Sequence, residues 1–151
     1  MKKLLIVYHS QSGATRKMAE AANAGALQEP EVEVRLLRAM EAGVDDLLWC
    51  DAVLFGTAEY LGYLSGGLKD FFDRTFYPAA PHQLNLSYAV FISAGNDGTG
   101  ALRQLERIVK GYPLKCVSEP VIIVGEPSDQ SLMRCEELGA AFAAGLSLGV
   151  F

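Results

Sequence analysis

Leu4-Leu5-Ile6-Val7-Tyr8-His9-Ser10-Gln11-Ser12-Gly13-Ala14-Thr15-Arg16 joins an unbroken apolar run to a helical pattern through a loop of hydroxyls and one glycine. Lys3 to Tyr8 does not alternate, as expected of a strand buried on both faces of a parallel sheet. From Gly13 to about Leu27 the chain is rich in Ala, Met, Glu and Arg, which favour helix. A strand that passes into a helix through such a turn makes an anion site. The helix N-terminus offers unpaired N–H groups and about half a positive charge, which favour a phosphate. Ser10, Ser12 and Thr15 each add a hydroxyl, and Gly13 lets the backbone pass close to the ligand.

The same alternation continues along the chain. Met18, Ala21, Ala22 and Leu27 are expected on the buried face of the first helix, which Glu29-Pro30 ends. Val32, Val34 and Leu36 alternate with Glu31, Glu33 and Arg35, the pattern of an edge strand. Asp45 to Cys50 reads as a short helix with Asp45 as N-cap, and Trp49 as packing between that helix and the sheet. Ala52 to Phe55 predicts a third strand, ended by Gly56-Thr57, and a nearly uncharged loop from Ala58 to Leu64 follows. Ser65 is the expected N-cap of a helix from Gly66 to Phe76, with Pro78 and Pro81 closing it. Tyr88 to Ile92 predicts a fourth strand, and Ser93 to Gly100 a loop of small and polar residues. Leu102, Leu105, Ile108 and Val109 mark the next helix, Val121 to Val124 a fifth strand, and Asp129 to Leu146 the last helix. Such a chain is α/β, in three layers: a five-stranded parallel sheet with right-handed crossovers and helices on both faces. With strand order 2-1-3-4-5, the loops after the first, third and fourth strands crowd one edge. The ligand crevice then opens between the first and third strands.

Composition bounds the function. The 151 residues suit one domain, spanning 1–151, and half of them are hydrophobic. A net charge of -5 argues against nucleic acid or an anionic membrane as partner. Three scattered cysteines, Cys50, Cys116 and Cys135, suggest neither disulfides nor a metal site, and a reducing cytoplasm is the expectation. The N-terminal apolar run is too short for a signal peptide, and no run approaches a membrane span. Rival chemistries each lack a residue. The first loop has no P-loop lysine, no second and third glycine of a dinucleotide site, and no phosphatase cysteine. The third strand ends Gly56-Thr57, without the Asp of a phosphoacceptor domain. His9 has no triad partners and reads as loop structure, His82 as exposed, and Cys135 as core.

Ser10-Gln11-Ser12-Gly13-Ala14-Thr15 resembles the phosphate loop [ST]-x-[ST]-G-x-T of flavodoxin-like proteins. Phe55-Gly56-Thr57-Ala58-Glu59-Tyr60-Leu61-Gly62-Tyr63-Leu64-Ser65-Gly66-Gly67-Leu68-Lys69-Asp70-Phe71 is similar to the second loop of FMN reductases and WrbA-type quinone oxidoreductases, with Ala58 where those have proline. Ser93 to Gly100 resembles their third, glycine-rich loop. The resemblance implies a flavodoxin-like fold and non-covalent FMN, with NAD(P)H as co-substrate and chemistry on the flavin rather than on a catalytic side chain. It implies that Ser10, Gln11, Ser12, Gly13, Ala14 and Thr15 hold the phosphate. Thr57, Ala58, Glu59, Tyr60, Leu61 and Gly62 would line the pyrimidine side of the ring. Tyr60 or Tyr63 would stack on it, and Ser93, Ala94, Gly95, Asn96 and Gly98, with Gly100, would approach its other edge. The implied activity passes electrons from NAD(P)H through FMN to a quinone, a flavin or another small acceptor. The alternative is an electron carrier docking on redox proteins. The apolar tail Leu146 to Phe151 leaves a homo-oligomer open.

Overall fold

The computed structural model describes residues 1–151. The elements run β1 (Lys2–Tyr8), α1 (Ala14–Ala26), β2 (Val32–Arg38), α2 (Val44–Trp49), β3 (Ala52–Tyr60), β4 (Tyr63–Leu64), α3 (Gly66–Ala79), β5 (Leu86–Ala94), α4 (Thr99–Val109), β6 (Leu114–Cys116), β7 (Val121–Val124) and α5 (Asp129–Ser147). The sheet order is β2-β1-β3-β5-β6, all parallel, with β4 antiparallel on β3 and β7 parallel on β5. This is the expected flavodoxin-like α/β architecture. The fifth position is shared by two pieces. β6 pairs with Leu86 to Tyr88 at the start of β5, and β7 pairs with Phe91 to Ala94 at its end. The sequence reading found only β7, because Leu114-Lys115-Cys116 is too short and polar to show a period.

Both faces of the sheet are covered, which is why β1 lacks alternation. Leu5 and Val7 turn toward α2, α3 and α4, among Val53, Phe55, Leu68, Phe71 and Leu105. Leu4, Ile6 and Tyr8 turn toward α1 and α5, among Met18, Leu54, Phe91, Cys135 and Phe142. β2 lies at the edge; Val32 is buried, Glu33 and Arg38 are exposed, and Val34 to Leu37 are all half-buried, so its burial does not follow the alternation of the sequence. Helices α1 and α5 cross at glycines. A methyl group on Gly25 would run into the Glu136 carbonyl, and one on Gly139 into that of Ala22. This close approach replaces bulky ridges with backbone contact. Of the residues expected on the buried face, Met18 and Ala22 are buried, Ala21 is half-buried, and Leu27, which follows the last turn of α1, is exposed; Ala19, Gly25 and Ala26 complete the buried face.

Other boundaries differ from the sequence reading for local reasons. Gly43, not Asp45, precedes α2, because the Asp46 carboxylate reaches back to the Gly43 N–H at 2.9 Å. The same carboxylate pairs with Arg35 at 2.7 Å, and the Arg35 guanidinium lies 3.8 Å from the Trp49 ring centre. Pro78 sits inside α3, in its last turn. Phe151 folds back on Phe142 with ring centres 5.1 Å apart, so the tail covers its own chain, while Leu148 and Val150 stay exposed. No helix is long and apolar enough to cross a membrane.

Candidate functional site

The first turn is built to leave a helix end open. The His9 N–H donates to the Gly56 carbonyl at 3.2 Å, which ties the end of β1 to β3. The Ser10 hydroxyl turns inward and accepts from the Gly13 N–H at 3.1 Å. Gly13 has a φ of 104°, a left-handed conformation that a side chain would strain. Helix α1 then starts with no side-chain cap and no acidic residue in its first turn. Its N–H groups and positive dipole end therefore face the crevice without an internal counter-charge. Ser12 is exposed at this end, while Thr15 is buried with its hydroxyl 3.4 Å from that of Ser93 at the end of β5. Behind the turn, the His9 imidazole fills the space beside Gly67, where a methyl group would strike it, and its buried Nδ1 has no partner in the chain.

The second loop is a hairpin. β3 does not stop at Gly56-Thr57 but runs on to Tyr60 and turns back as β4, with Glu59 opposite Leu64 and Tyr60 opposite Tyr63. The Thr57 hydroxyl is buried, donates to the Ala58 carbonyl at 2.8 Å and accepts from the Ser65 N–H at 2.9 Å. It closes the hairpin base. Ser65 caps α3 as expected, accepting from the Leu68 N–H at 3.3 Å. The two-residue turn is Leu61, at φ 55°, and Gly62, at φ 76°. Two successive positive φ values fit the twist of a tight hairpin. Of the two tyrosines, Tyr60 lines the crevice, whereas Tyr63 packs on the core beneath α3 and α4.

Glu59 joins the second loop to the third. Its carboxylate accepts from the N–H groups of Gly98 at 3.2 Å, Gly100 at 2.9 Å and Ala101 at 3.1 Å. The N-terminus of α4 thus already holds an anion supplied by the chain itself. Gly100 has no room for a side chain, because the Gly62 carbonyl presses against it. The Asp97 carboxylate accepts from the backbone and hydroxyl of Thr99 at 3.0 and 2.8 Å, and these bonds hold it below the usual carboxylate range.

These loops enclose a crevice of about 310 Å³, within the range of small-molecule sites. It gathers Ser12 and Ala14 from the first loop, Ala58, Glu59 and Tyr60 from the second, and Ser93, Ala94 and Gly95 from the third. Ser10, Gln11, Gly13 and Thr15 belong to the same first turn but do not form its wall, nor do Thr57, Leu61, Gly62, Asn96 or Gly98. Gly125 and Glu126, after β7, also line it and escaped the sequence reading. The Gly125 N–H donates to the Ala94 carbonyl at 2.8 Å, and Glu126 stands 3.8 Å from Lys17 of α1. A Gly-Glu-Pro step directly after a strand was the available signal. No thiol joins the site. Burial pushes Cys50 up to about 12 and Cys135 up to about 11, which leaves both as inert core groups. No cluster of side chains is arranged for a metal.

Comparison with known proteins agrees with this fold. Residues 38–129 match the family described as NADPH-dependent FMN reductase. A "Flavodoxin" of Aquifex aeolicus (strain VF5) is 40% identical over 73 residues, which cover 48% of this chain and 40% of that protein. An "NAD(P)H dehydrogenase (quinone)" of Acidithiobacillus ferrooxidans (strain ATCC 53993 / BNL-5-31) is 27% identical over 97% of this chain and 82% of its own. The solved structure of a flavodoxin from the domain Archaea superposes with a TM-score of 0.83 at 25% identity, covering 95% of this chain and 98% of that one.

Proposed function

From a chain that belongs to the NADPH-dependent FMN reductase family, we propose an NAD(P)H-dependent oxidoreductase that delivers electrons to a quinone, a flavin or another small acceptor. FMN is its cofactor, and when bound it supplies the hydride-accepting and electron-donating chemistry. The observation that carries the reading is the contrast between two helix ends at one sheet edge. The end of α4 is filled by Glu59, whereas that of α1 is open, uncapped and flanked by Ser12. A monoester phosphate fits the open end alone. Backbone N–H groups and hydroxyls hold it there, and no residue is placed to cleave it.

The remaining residues bind and orient. Ala58 and Tyr60 from the second loop and Ser93, Ala94 and Gly95 from the third line the crevice that the ring would enter. Thr57 and Glu59 set the spacing of those walls without leaving their own partners. Glu59 is braced by three N–H groups of α4, whereas Glu126 keeps an exposed charge at the rim. The match of residues 38–129, which hold the second and third loops, to the FMN reductase family favours a small acceptor over a docking protein. A second reading, an electron carrier, rests on the likeness to the Aquifex flavodoxin. The enzyme reading places the protein in the cytoplasm, in keeping with three free cysteines.

Anaerobic mixing of the FMN-loaded protein with NADH or NADPH tests the choice. Loss of the flavin absorbance, followed by its return on adding benzoquinone, is the expected result. Bleaching by dithionite but by neither nicotinamide would favour the carrier. A protein that takes up no FMN would defeat both readings.

A further inference from the structure

Helix α1 opens with two cations, and each stands near a carboxylate. The Arg16 guanidinium lies 3.9 Å from Glu20 of the same helix, whereas the Lys17 ammonium lies 3.8 Å from Glu126, in the turn after β7. Lys17 belongs to the first turn of α1, where its N–H donates to the Gly13 carbonyl at 3.0 Å. The turn that carries Glu126 is fixed at both ends. The Gly125 N–H donates to the Ala94 carbonyl at 2.8 Å, and the Ser128 hydroxyl caps α5 by accepting from the Ser131 N–H at 3.1 Å. Glu126 lines the crevice together with Ser12 and Ala14, and no lysine or arginine does. The other acidic residue of the lining, Glu59, has its carboxylate taken up by three N–H groups of α4. The pair of Lys17 with Glu126 adds little to stability, since both side chains are more than half exposed. Its consequence is for charge. A carboxylate fixed beside a seat for an anion offsets the one nearby cation that would favour that anion.

We propose that Glu126 determines how firmly the crevice holds FMN: it offsets the charge of Lys17, leaves the phosphate to hydroxyls and backbone N–H groups, and so keeps the cofactor exchangeable. The inference rests on the reading above that the open end of α1 seats the phosphate. A bound phosphate would not remove the effect, because two anions in one crevice repel each other whether or not they touch. Across a crevice of about 310 Å³, about 7 Å wide, one unit charge changes the affinity of a phosphate dianion in water by about fivefold. No bond is made or broken.

The test titrates the flavin-free full chain with FMN and with riboflavin, which lacks the phosphate, and needs no turnover. In Glu126→Gln the affinity for FMN relative to riboflavin is expected to rise about fivefold in about 10 mM salt, and the gain should largely vanish in about 0.5 M salt. Bound FMN should also leave more slowly. Lys17→Met is expected to shift the same ratio in the opposite direction by a similar factor. Glu31→Gln removes an equal charge at an exposed position just before β2, at the opposite edge of the sheet, and should leave the ratio in place. If Glu126→Gln and Lys17→Met both weaken FMN and riboflavin alike, the pair is only a brace between α1 and the turn, and the inference is overturned. An unaltered ratio in Glu126→Gln, or an equal gain in Glu31→Gln, would overturn it as well while leaving the phosphate seat intact. Equal affinity of the wild-type chain for FMN and riboflavin would remove the phosphate seat itself, and this inference with it.

Discussion

Ser12 and Thr15 bring hydroxyls to the same turn but occupy different surroundings. Ser12 is exposed on the crevice wall, whereas Thr15 is 1% exposed and faces Ser93. Ser12→Ala is expected to weaken FMN by about tenfold, the worth of one hydrogen bond to a charged group, and to leave riboflavin binding nearly unchanged. Fluorescence titration with both ligands checks this, and an equal loss for both would refute the phosphate assignment. Glu59 should behave in the opposite way. Glu59→Ala strands three N–H groups at the start of α4 and frees the hairpin from the third loop. It is expected to cost about 1–3 kcal/mol of stability and to weaken FMN and riboflavin equally, as thermal melts and the same titrations would show. The sequence placed Glu59 at the site but could not distinguish a ligand contact from a brace. That distinction depends on amides 39 to 42 residues away in the chain.

At the scale of elements, most strands and helices were legible because their apolar periods are strong. The exceptions have physical causes. Gly56-Thr57 looks like a strand end, yet β3 continues, because Gly56 leaves room for the Phe91 ring of β5 and Thr57 braces the returning strand. The start of α2 was misread because its cap works backwards, from the Asp46 side chain to Gly43. The glycines at the α1–α5 crossing would normally weaken a helix, and only the packing shows their use. Gly139→Ala drives a methyl group into the Ala22 carbonyl. It is expected to cost ~1–3 kcal/mol, seen as a drop of several degrees in the thermal midpoint. Gly66→Ala, at an open position in the first turn of α3, is the matched control and should be neutral or mildly stabilising.

Over the whole molecule, two apolar layers sandwich the sheet and put every loop of the site on one edge. That burial also sorts the cysteines. Cys50 and Cys135 lie in opposite layers and are buried, whereas Cys116 is exposed at the edge of the sheet. A thiol reagent is therefore expected to modify Cys116 alone in the folded protein and all three cysteines after unfolding. Rapid native reaction at Cys50 or Cys135, mapped by mass spectrometry, would contradict the layered core.

By itself the sequence determined the α/β alternation, the three loops that meet at one edge, and the absence of lysine, cysteine or paired glycines from the first of them. These features are local: a period, a cap or a missing donor can be read from neighbouring residues. Tertiary structure alone decided that α1's end stays open while Glu59 fills that of α4, and that Tyr60 rather than Tyr63 lines the crevice. It alone added Gly125 and Glu126 to the site. Each of these depends on contacts between strands distant in sequence, which no local pattern encodes. The opening turn is where we propose that a phosphate is held, and the hairpin that locks against α4 stands beside it.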